Sequence, residues 1–286
     1  MILRLLILCL ALILPACVSS PQPRVFEVPT GRAKANIPFW WMPDEAAQAT
    51  VVIFTGGPGA LGRNDNDALN GPQAWERHSF LVRDWRLFQK EGFNVALVGR
   101  ARDRVQEMNS RTGSPRRAIA YRASAEHSRE IREVLLQIKQ LAPGKDIWLV
   151  GHSMGSISSA NASIANPDII AGQVLLGSIT HKGGARGGRG GPDDIMPPTG
   201  LDFGKIRVPT LIMTHSQDEC LNTKPEHARE NYSALNNAPR KELVFLSGGS
   251  SPRGETCGAE HYHGFPGLEK EVVNRTASWI RAPSSK

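Results

Sequence analysis

The segment Ile147-Trp148-Leu149-Val150-Gly151-His152-Ser153-Met154-Gly155 decides how this 286-residue chain folds. Its first four residues are an apolar run typical of a buried strand, and Met154 to Ala165 has helical spacing. Between the two patterns stands Ser153, with a glycine two positions away on each side. A serine on so tight a strand-to-helix turn takes a strained backbone conformation, so these neighbours must lack a Cβ atom. The pattern predicts a sharp turn that points the Ser153 hydroxyl out of a sheet.

Apolar runs alternate with helical patterns along most of the chain. Strands are predicted at Val25 to Val28, Ile37 to Met42, Thr50 to Thr55, Phe93 to Val98, Ile147 to Val150, Val174 to Leu176, Thr210 to Thr214 and Leu243 to Leu246. Helices are predicted at Phe80 to Gln89, Ala118 to Leu141, Met154 to Ala165, Glu226 to Leu235 and Leu268 to Ile280. This alternation indicates an α/β fold with a mostly parallel sheet covered by helices on both faces. With 40% apolar residues, the chain is expected to form a single domain over residues 18–286.

The first 17 residues differ in composition from the rest. Arg4 precedes an almost wholly apolar run, Leu5 to Leu14, and small residues follow, which is the layout of an export signal. The run is too short for a permanent helix across a hydrocarbon core of about 30 Å. Leu14-Pro15-Ala16-Cys17 resembles the bacterial lipobox, apart from Pro15. We expect a signal over residues 1–17, a lipidated Cys17 that attaches the protein to a membrane, and a periplasmic or membrane-anchored location. An ordinary signal cut a few residues later is the alternative.

The four cysteines are informative through their positions. Cys9 lies in the leader and Cys17 at its end, so Cys220 and Cys257 remain for the mature protein. In an oxidising compartment two such thiols predict a disulfide, which would stabilise the fold by about 4 kcal/mol through chain entropy. A zinc site with His261 and His263 is the alternative. It is disfavoured because a Cys-x-x-x-His-x-His spacing with one distant cysteine is not a common zinc pattern. No metal or other cofactor is expected.

The formal net charge is +7, and arginines crowd the region from Arg100 to Arg132. A basic face of this kind could approach an anionic envelope surface or an acidic substrate. Aromatic residues do not alternate with the arginines as they would in a stacking platform for nucleic acid. We therefore interpret the region as a solvated helix face with its loop, and expect no nucleic-acid partner.

A serine hydroxyl is a weak nucleophile at neutral pH and needs a base that is itself oriented by a carboxylate. On a sheet of the predicted kind, the chain order is serine, acid, histidine. Asp218 follows the strand that ends at Thr214, at the sheet edge where a catalytic carboxylate belongs. Glu219 is the nearby alternative, and Asp193 or Asp194 a more distant one.

Two histidines, His261 and His263, lie after the last predicted strand and before the terminal helix. His263 is the preferred base because Gly264 permits a tight turn into the helix, whereas His261 would be a neighbouring or surface residue. His152 adjoins Ser153 but should point away from the site, as a packing or pocket residue.

Thr55-Gly56-Gly57-Pro58-Gly59 resembles the His-Gly-Gly-Pro-Gly box of proline iminopeptidases and related hydrolases. Thr55 replaces that histidine, so peptidase specificity does not follow. The resemblance implies that the N–H groups of Gly57 and Met154 bind the oxyanion of an acyl-transfer reaction. Residues 57–62 also match a dinucleotide-binding fingerprint. That alternative requires a helix opening directly on the glycines and an acid after the next strand, where Gly99-Arg100 stands instead.

Together, the serine turn, the glycine loop, Asp218 and His263 resemble the α/β-hydrolase superfamily. Phe80 to Arg100 and Cys257 to Ile280 are similar to poorly characterised bacterial exported hydrolases. The resemblance implies hydrolysis of esters or related acyl compounds, as by a carboxylesterase, in which Ser153, Asp218 and His263 act through an acyl-enzyme. The expected substrate is a small acyl molecule. A peptidase of the proline iminopeptidase type, or a catalytically silent envelope lipoprotein that serves as a binding scaffold, is the alternative. His181 to Gly200, rich in Gly and Pro, stands where such proteins often carry a lid, and predicts little or no lid.

Overall fold

A computed structural model of the chain describes residues 23–33, 35–57, 59, 61, 79–104, 115–182 and 199–283. The expected export signal with Cys17, the alternative acids Asp193 and Asp194, and most of the segment proposed to replace a lid lie outside these residues. In the ranges just given, no helix is both long and apolar enough to cross a membrane.

The strands that the structure describes form one eight-stranded sheet. Their bounds are β1 Arg24–Pro29, β2 Asn36–Met42, β3 Ala49–Phe54, β4 Phe93–Val98, β5 Asp146–His152, β6 Ile170–Leu176, β7 Thr210–His215 and β8 Lys241–Leu246. The order across the sheet is β1-β2-β4-β3-β5-β6-β7-β8. β1 pairs antiparallel with β2, and β2 with β4, while every later pair is parallel. The mostly parallel sheet predicted from the sequence is confirmed.

Helices lie between several of the strands and after the last one. Their bounds are α1 Phe80–Arg83, α2 Trp85–Lys90, α3 Pro115–Arg122, α4 Ala125–Leu141, α5 Gly155–Ala165, α6 Pro225–Ala234 and α7 Glu269–Arg281. The prediction of one helix over Ala118 to Leu141 is wrong, because Ser124 is extended and its hydroxyl accepts the His127 N–H. That contact begins a new helix with its own N-cap. The helix predicted from Phe80 is likewise divided, at Asp84.

The sheet is buried between two apolar layers. Successive side chains of β3 alternate between them: Val52 and Phe54 join one cluster, and Val51 and Ile53 join the other. The first cluster includes apolar residues of α4 and α5, and the second includes those of α1, α2 and α7. Because neighbouring residues of a strand face opposite sides of the sheet, α4 and α5 cover one face and α1, α2 and α7 the other.

The connection from β5 to α5 allows no side chains at its two glycines. A Cβ atom on Gly155 would lie 2.0 Å from the carbonyl oxygen of Phe54, and one on Gly151 would lie 2.6 Å from the carbonyl oxygen of Gly155. Helix α5 therefore begins directly against the end of β3. The requirement for glycine that the sequence pattern implied has a steric cause.

An ion-pair cluster joins α1 to α7. The Arg83 guanidinium donates to Glu269 Oε1 at 2.8 Å and to the carbonyl oxygen of Gly264 at 3.3 Å. Asp84 Oδ2 lies 3.3 Å from Arg83 Nε. Burial raises the pKa of the Asp84 carboxyl to about 6, although the Arg83 charge opposes the rise. The cluster holds the start of α7 and the turn before it against α1.

We expect Gly155→Ala to lower the free energy of unfolding by about 3 kcal/mol or more, because the methyl group overlaps backbone that cannot move aside. Gly144→Ala is the matched control. Unlike Gly155, Gly144 has a positive φ, of 73°, but nothing lies within 4 Å of its Cβ position, so alanine there adds only backbone strain of about 1–2 kcal/mol. Urea unfolding of both variants measures the difference. Equal losses would contradict the steric explanation.

Asp84 should make stability depend on pH. The unfolded carboxyl ionises near pH ~4 and the folded one near pH 6. Between these values the unfolded state releases a proton that the folded state keeps, so the free energy of unfolding falls as pH rises. The fall should amount to about 1 kcal/mol, because solvent screens a partly exposed group. Asp84→Asn cannot ionise and should abolish it. Urea unfolding at pH 4.5 and pH 7 tests it, and parallel pH profiles for the two proteins would refute it.

Candidate functional site

Ser153 lies at the carboxyl edge of the sheet, in the turn between β5 and α5. Its φ of 53° is in the left-handed region, which costs a non-glycine residue about 1–3 kcal/mol. Its N–H donates to the carbonyl oxygen of Leu176, at the end of β6, at 3.0 Å. The residue is partly exposed. The turn has the strained conformation that the sequence predicts, and it leaves the serine accessible.

Asp218 follows β7 and is 4% exposed. Its Oδ1 accepts the Cys220 N–H at 2.9 Å. Its Oδ2 accepts the Thr223 hydroxyl at 2.9 Å and the Nδ1–H of His263 at 3.0 Å. A carboxylate withdrawn from water loses its hydration, and these three donors compensate for that loss.

His263 lies in the short turn Tyr262–Gly264 and is 2% exposed. Its Nδ1 is 3.0 Å from Asp218 Oδ2 and 2.9 Å from Thr223 Oγ1. Because an ionised carboxylate can only accept, Nδ1 carries the hydrogen, and Nε2 of the neutral ring keeps its lone pair. The imidazole is thus held in the tautomer that a general base requires.

Gly177 places the His263 ring beside the serine turn. It directly follows Leu176, whose carbonyl oxygen binds the Ser153 N–H. A Cβ atom on Gly177 would lie 3.3 Å from both Cε1 and Nδ1 of His263. The residue after β6 must therefore be small to admit the imidazole. Among the described residues, no hydrogen bond joins Ser153 Oγ to His263; in hydrolases without substrate such bonds are often long and shorten in the reacting complex.

His152 forms a second link between the serine turn and the histidine turn. Its Nε2 donates to the carbonyl oxygen of His263 at 2.9 Å, and the two ring centroids are 4.7 Å apart. Burial lowers the pKa of His152 to about 3, so the ring is neutral. The sequence predicted a packing residue. The structure adds a hydrogen bond to the backbone of His263.

The alternative acid and base form a separate pair. His261 Nε2 lies 3.4 Å from Glu219 Oε2, and the Glu219 side chain is 64% exposed. Asp218 and His263 are instead buried together. The structure therefore separates two neighbouring acid-histidine pairs, and the inner one packs against the serine turn.

A disulfide joins Cys220 to Cys257, with their Cα atoms 4.6 Å apart. Cys220 donates its N–H to Asp218, and Cys257 precedes the turn that carries His263. The bridge therefore ties the loop of the acid to the loop of the histidine. Both sulfur atoms are used in it, so neither is a thiolate for the zinc alternative.

The glycine loop after β3 lies against the serine turn. A Cβ atom on Gly56 would be 3.1 Å from the Cβ of Ser153, and Gly57 has a φ of 55°. In the part of the chain that the structure describes, the N–H groups of Gly57 and Met154 donate no backbone hydrogen bond. Met154 precedes the first turn of α5, where N–H groups have no partner within the helix. Two free donors thus come from the segments next to Ser153.

Two polar residues of the site escaped the sequence analysis. Thr223 contacts His263 from 40 positions away, and Arg122 donates to the carbonyl oxygen of Gly57 from 65 positions away. The interpretation of the arginine-rich region as a solvated face is wrong for Arg122, which is 4% exposed. No local pattern marks either residue, because each is recognised only by a partner distant in the chain.

Neither the protein-family models nor the curated proteins give a match to this chain. Solved structures do. A dienelactone hydrolase from Anabaena variabilis is 14% identical, with a TM-score of 0.59 over 92% of this chain and 98% of that one. A cold-adapted esterase from an Arctic intertidal metagenomic library is 13% identical, with a TM-score of 0.58 over 92% and 96% of the two chains.

A third solved structure, an α/β serine hydrolase without a lid from Xanthomonas campestris, is 16% identical. Its TM-score is 0.52 over 92% of this chain and 97% of that one. At such low identities the likeness concerns the fold alone, and it agrees with the mostly parallel eight-stranded sheet of this chain. The chain has the α/β-hydrolase fold.

Proposed function

We propose that this protein is a serine hydrolase of the carboxylesterase type, in which Ser153 is the nucleophile, His263 the base and Asp218 its orienting acid. The observation that carries the proposal is the buried hydrogen bond of 3.0 Å between Asp218 and His263 beside a strained, accessible serine. A binding scaffold would have no need of a buried carboxylate that fixes an imidazole tautomer.

The reaction would proceed in two steps. Ser153 Oγ attacks the carbonyl carbon while its proton passes to His263 Nε2, and the Gly57 and Met154 N–H groups bind the resulting oxyanion. His263 returns the proton to the leaving alcohol as the acyl bond breaks. Water then attacks the acyl-enzyme by the same route and releases the acid. Asp218 stabilises the imidazolium that forms in each step.

An apolar cluster next to the nucleophile supports an acyl substrate. The buried side chains of Ile119, Ile157 and Ile179 pack together, and the partly exposed side chain of Met154 packs on them. The three isoleucines are buried, so Met154 is the one of the four that can meet a substrate, and an apolar side chain beside an oxyanion donor suits the hydrocarbon part of a small acyl group. Thr55, in place of the histidine of proline iminopeptidases, argues against a peptidase of that type. The names of the solved neighbours, esterases and a dienelactone hydrolase, favour an ester bond.

We further propose that the protein works outside the cytoplasm. A disulfide between Cys220 and Cys257 is a bond that persists in oxidising compartments. This agrees with the export signal predicted over residues 1–17, whose last residue, Cys17, would carry lipid and attach the enzyme to the envelope membrane.

A fluorophosphonate probe tests the nucleophile. We expect stoichiometric labelling of the wild-type protein at Ser153 and none of Ser153→Ala, because phosphonylation requires an activated serine. Intact mass spectrometry measures the adduct, and circular dichroism shows that both proteins are folded. A folded wild-type protein that does not react would refute the proposal.

The two late histidines provide a matched pair for the base. His263→Ala should lower kcat for p-nitrophenyl esters of short acids by about 10⁴-fold or more, as the loss of a base does in Ser-His-Asp hydrolases. His261→Ala removes the same group two positions earlier in the chain and should change kcat only a few-fold. Ester hydrolysis that is indifferent to His263→Ala would indicate adventitious activity of a binding scaffold.

Thr223 should act as a positioning residue, since its hydroxyl contacts both Asp218 and His263. Thr223→Val keeps the shape but removes the hydroxyl, and we expect kcat to fall by about 10-fold with KM nearly unchanged, the size of one lost hydrogen bond. Thr223→Ser restores the hydroxyl and should restore kcat. If the Ser and Val variants are equally slow, the methyl group matters and not the hydrogen bond.

A further inference from the structure

Arg122, at the end of α3, places a buried cation behind the glycine loop. Its Nη1 donates to Ser158 Oγ at 2.8 Å. Its Nη2 donates to the carbonyl oxygens of Gly57 at 3.3 Å and Thr55 at 3.5 Å. The guanidinium therefore binds the loop that carries a proposed oxyanion donor, on the side away from Ser153.

No carboxylate in the described part of the chain forms an ion pair with Arg122, and none contributes to its pKa. Burial lowers the pKa of the guanidinium to about 10, so it remains charged at neutral pH. Burying a cation is costly. Neutral donors could satisfy the two carbonyl oxygens at smaller cost, so a charged side chain at this position calls for a functional reason.

The contacts of Arg122 determine how the Gly56–Gly57 peptide is oriented. Thr55 and Gly57 contribute the carbonyl groups of the peptides on either side of it, and both carbonyls are held by the same nitrogen. The carbonyl oxygen of Gly56 accepts the Gly59 N–H at 3.3 Å. In a trans peptide the C=O and N–H bonds point in opposite directions. The Gly57 N–H is thereby directed away from the turn that Gly59 closes.

The loop is confined from both sides. A Cβ atom on Gly56 would be 3.1 Å from the Cβ of Ser153, and one on Gly59 would be 2.5 Å from Arg122 Nη2. The backbone of the loop therefore fills the space between the serine turn and the guanidinium. A shift of Arg122 would release the loop from its position against Ser153.

The guanidinium of Arg122 is held by α5 directly and by α4 through Ser158. Ser158 of α5 accepts from Nη1 and also bonds to His127 Nε2 of α4 at 2.9 Å. Burial lowers the pKa of His127 to about 3, and the charge of Arg122 lowers it further, so His127 is neutral and adds no second cation. The Asn161 side chain donates to the Arg122 carbonyl oxygen at 2.9 Å. These contacts fix the side chain and the backbone of Arg122.

We propose that Arg122 is a positioning residue for the hydrolytic reaction: it holds the Thr55–Gly57 backbone so that the Gly57 N–H binds the oxyanion formed at Ser153, and its charge favours that anion. This inference rests on the proposed function. On this proposal, Arg122 stabilises the transition state and not the bound ester.

The test compares Arg122→Lys and Arg122→Met with the wild type. Lysine keeps the charge but has one nitrogen in place of Nη1 and Nη2, so it loses the arrangement that binds Ser158 and the loop together, and we expect kcat to fall about 10-fold. Methionine removes both the charge and the donors, and kcat should fall about 100-fold, as for the loss of an oxyanion donor. KM should stay within about twofold. The Ki of a trifluoromethyl ketone, whose adduct with serine carries the oxyanion, should rise by the same factors.

Two further variants complete the design. Arg132→Met removes a partly exposed arginine of α4 that pairs with Asp168, and should leave kcat and Ki unchanged. Ser158→Ala keeps Arg122 but removes the acceptor of Nη1, and should lower kcat a few-fold with the same rise in Ki. If Arg122→Met does not fold by circular dichroism, Arg122→Lys and Ser158→Ala decide the result.

Different results would overturn the role of Arg122 and the proposed hydrolase activity. A folded Arg122→Lys with kcat and Ki within twofold of wild type, in an active wild-type background, overturns only the role of Arg122. A fall in activity with unchanged Ki also overturns it, since the loss would then not concern the oxyanion. A folded wild-type protein that neither hydrolyses short esters nor reacts with a fluorophosphonate overturns the proposed function, and the role of Arg122 with it.

Discussion

The close approach of α5 to the end of β3 is the constraint on which the site depends. Only glycine fits at Gly155, because its Cβ position is occupied by the carbonyl oxygen of Phe54. The helix therefore starts immediately after the strand, and Ser153 must absorb the change of direction with a positive φ. The Gly56 loop can then pack against the serine turn, and His152 can reach the turn of His263. If α5 lay further from the sheet, the strained Ser153 turn, the packing of the Gly56 loop and the contact of His152 with the His263 turn would all be lost.

The buried polar groups of the site are stable there because each has partners from other segments. Asp218 accepts three hydrogen bonds, and one of their donors, Thr223, also contacts His263. The disulfide limits how far the loops of the acid and the histidine can separate. Together these contacts offset the cost of removing a carboxylate from water, and they leave the free nitrogen of His263 as the basic atom.

The two sides of the serine turn differ in their electrostatics. On one side, a buried carboxylate faces the imidazole that would become positively charged during the reaction. On the other, the buried cation of Arg122 lies behind the loop that would receive negative charge. The opposite signs match the charges that an acyl transfer develops at each place. The fold sets this separation, because the acid follows β7 while the glycine loop follows β3, on the other side of β5.

The sequence by itself determined the strands, three of the predicted helices, the mostly parallel sheet and the strained serine turn, because hydrophobic periodicity and glycine spacing are local properties. It also indicated Asp218 as the candidate acid and His263 as the candidate base. Parallel strands end at a common edge, and the chain order serine, acid, histidine then limits which residues can take these roles. It did not determine where α3 ends and α4 begins, because a side-chain cap at Ser124 interrupts a continuous helical pattern. Only the tertiary structure decided that Asp218 pairs with His263 and Glu219 with His261, and that Thr223 and Arg122 belong to the site. These assignments depend on distances between segments remote in the chain, which no local pattern encodes.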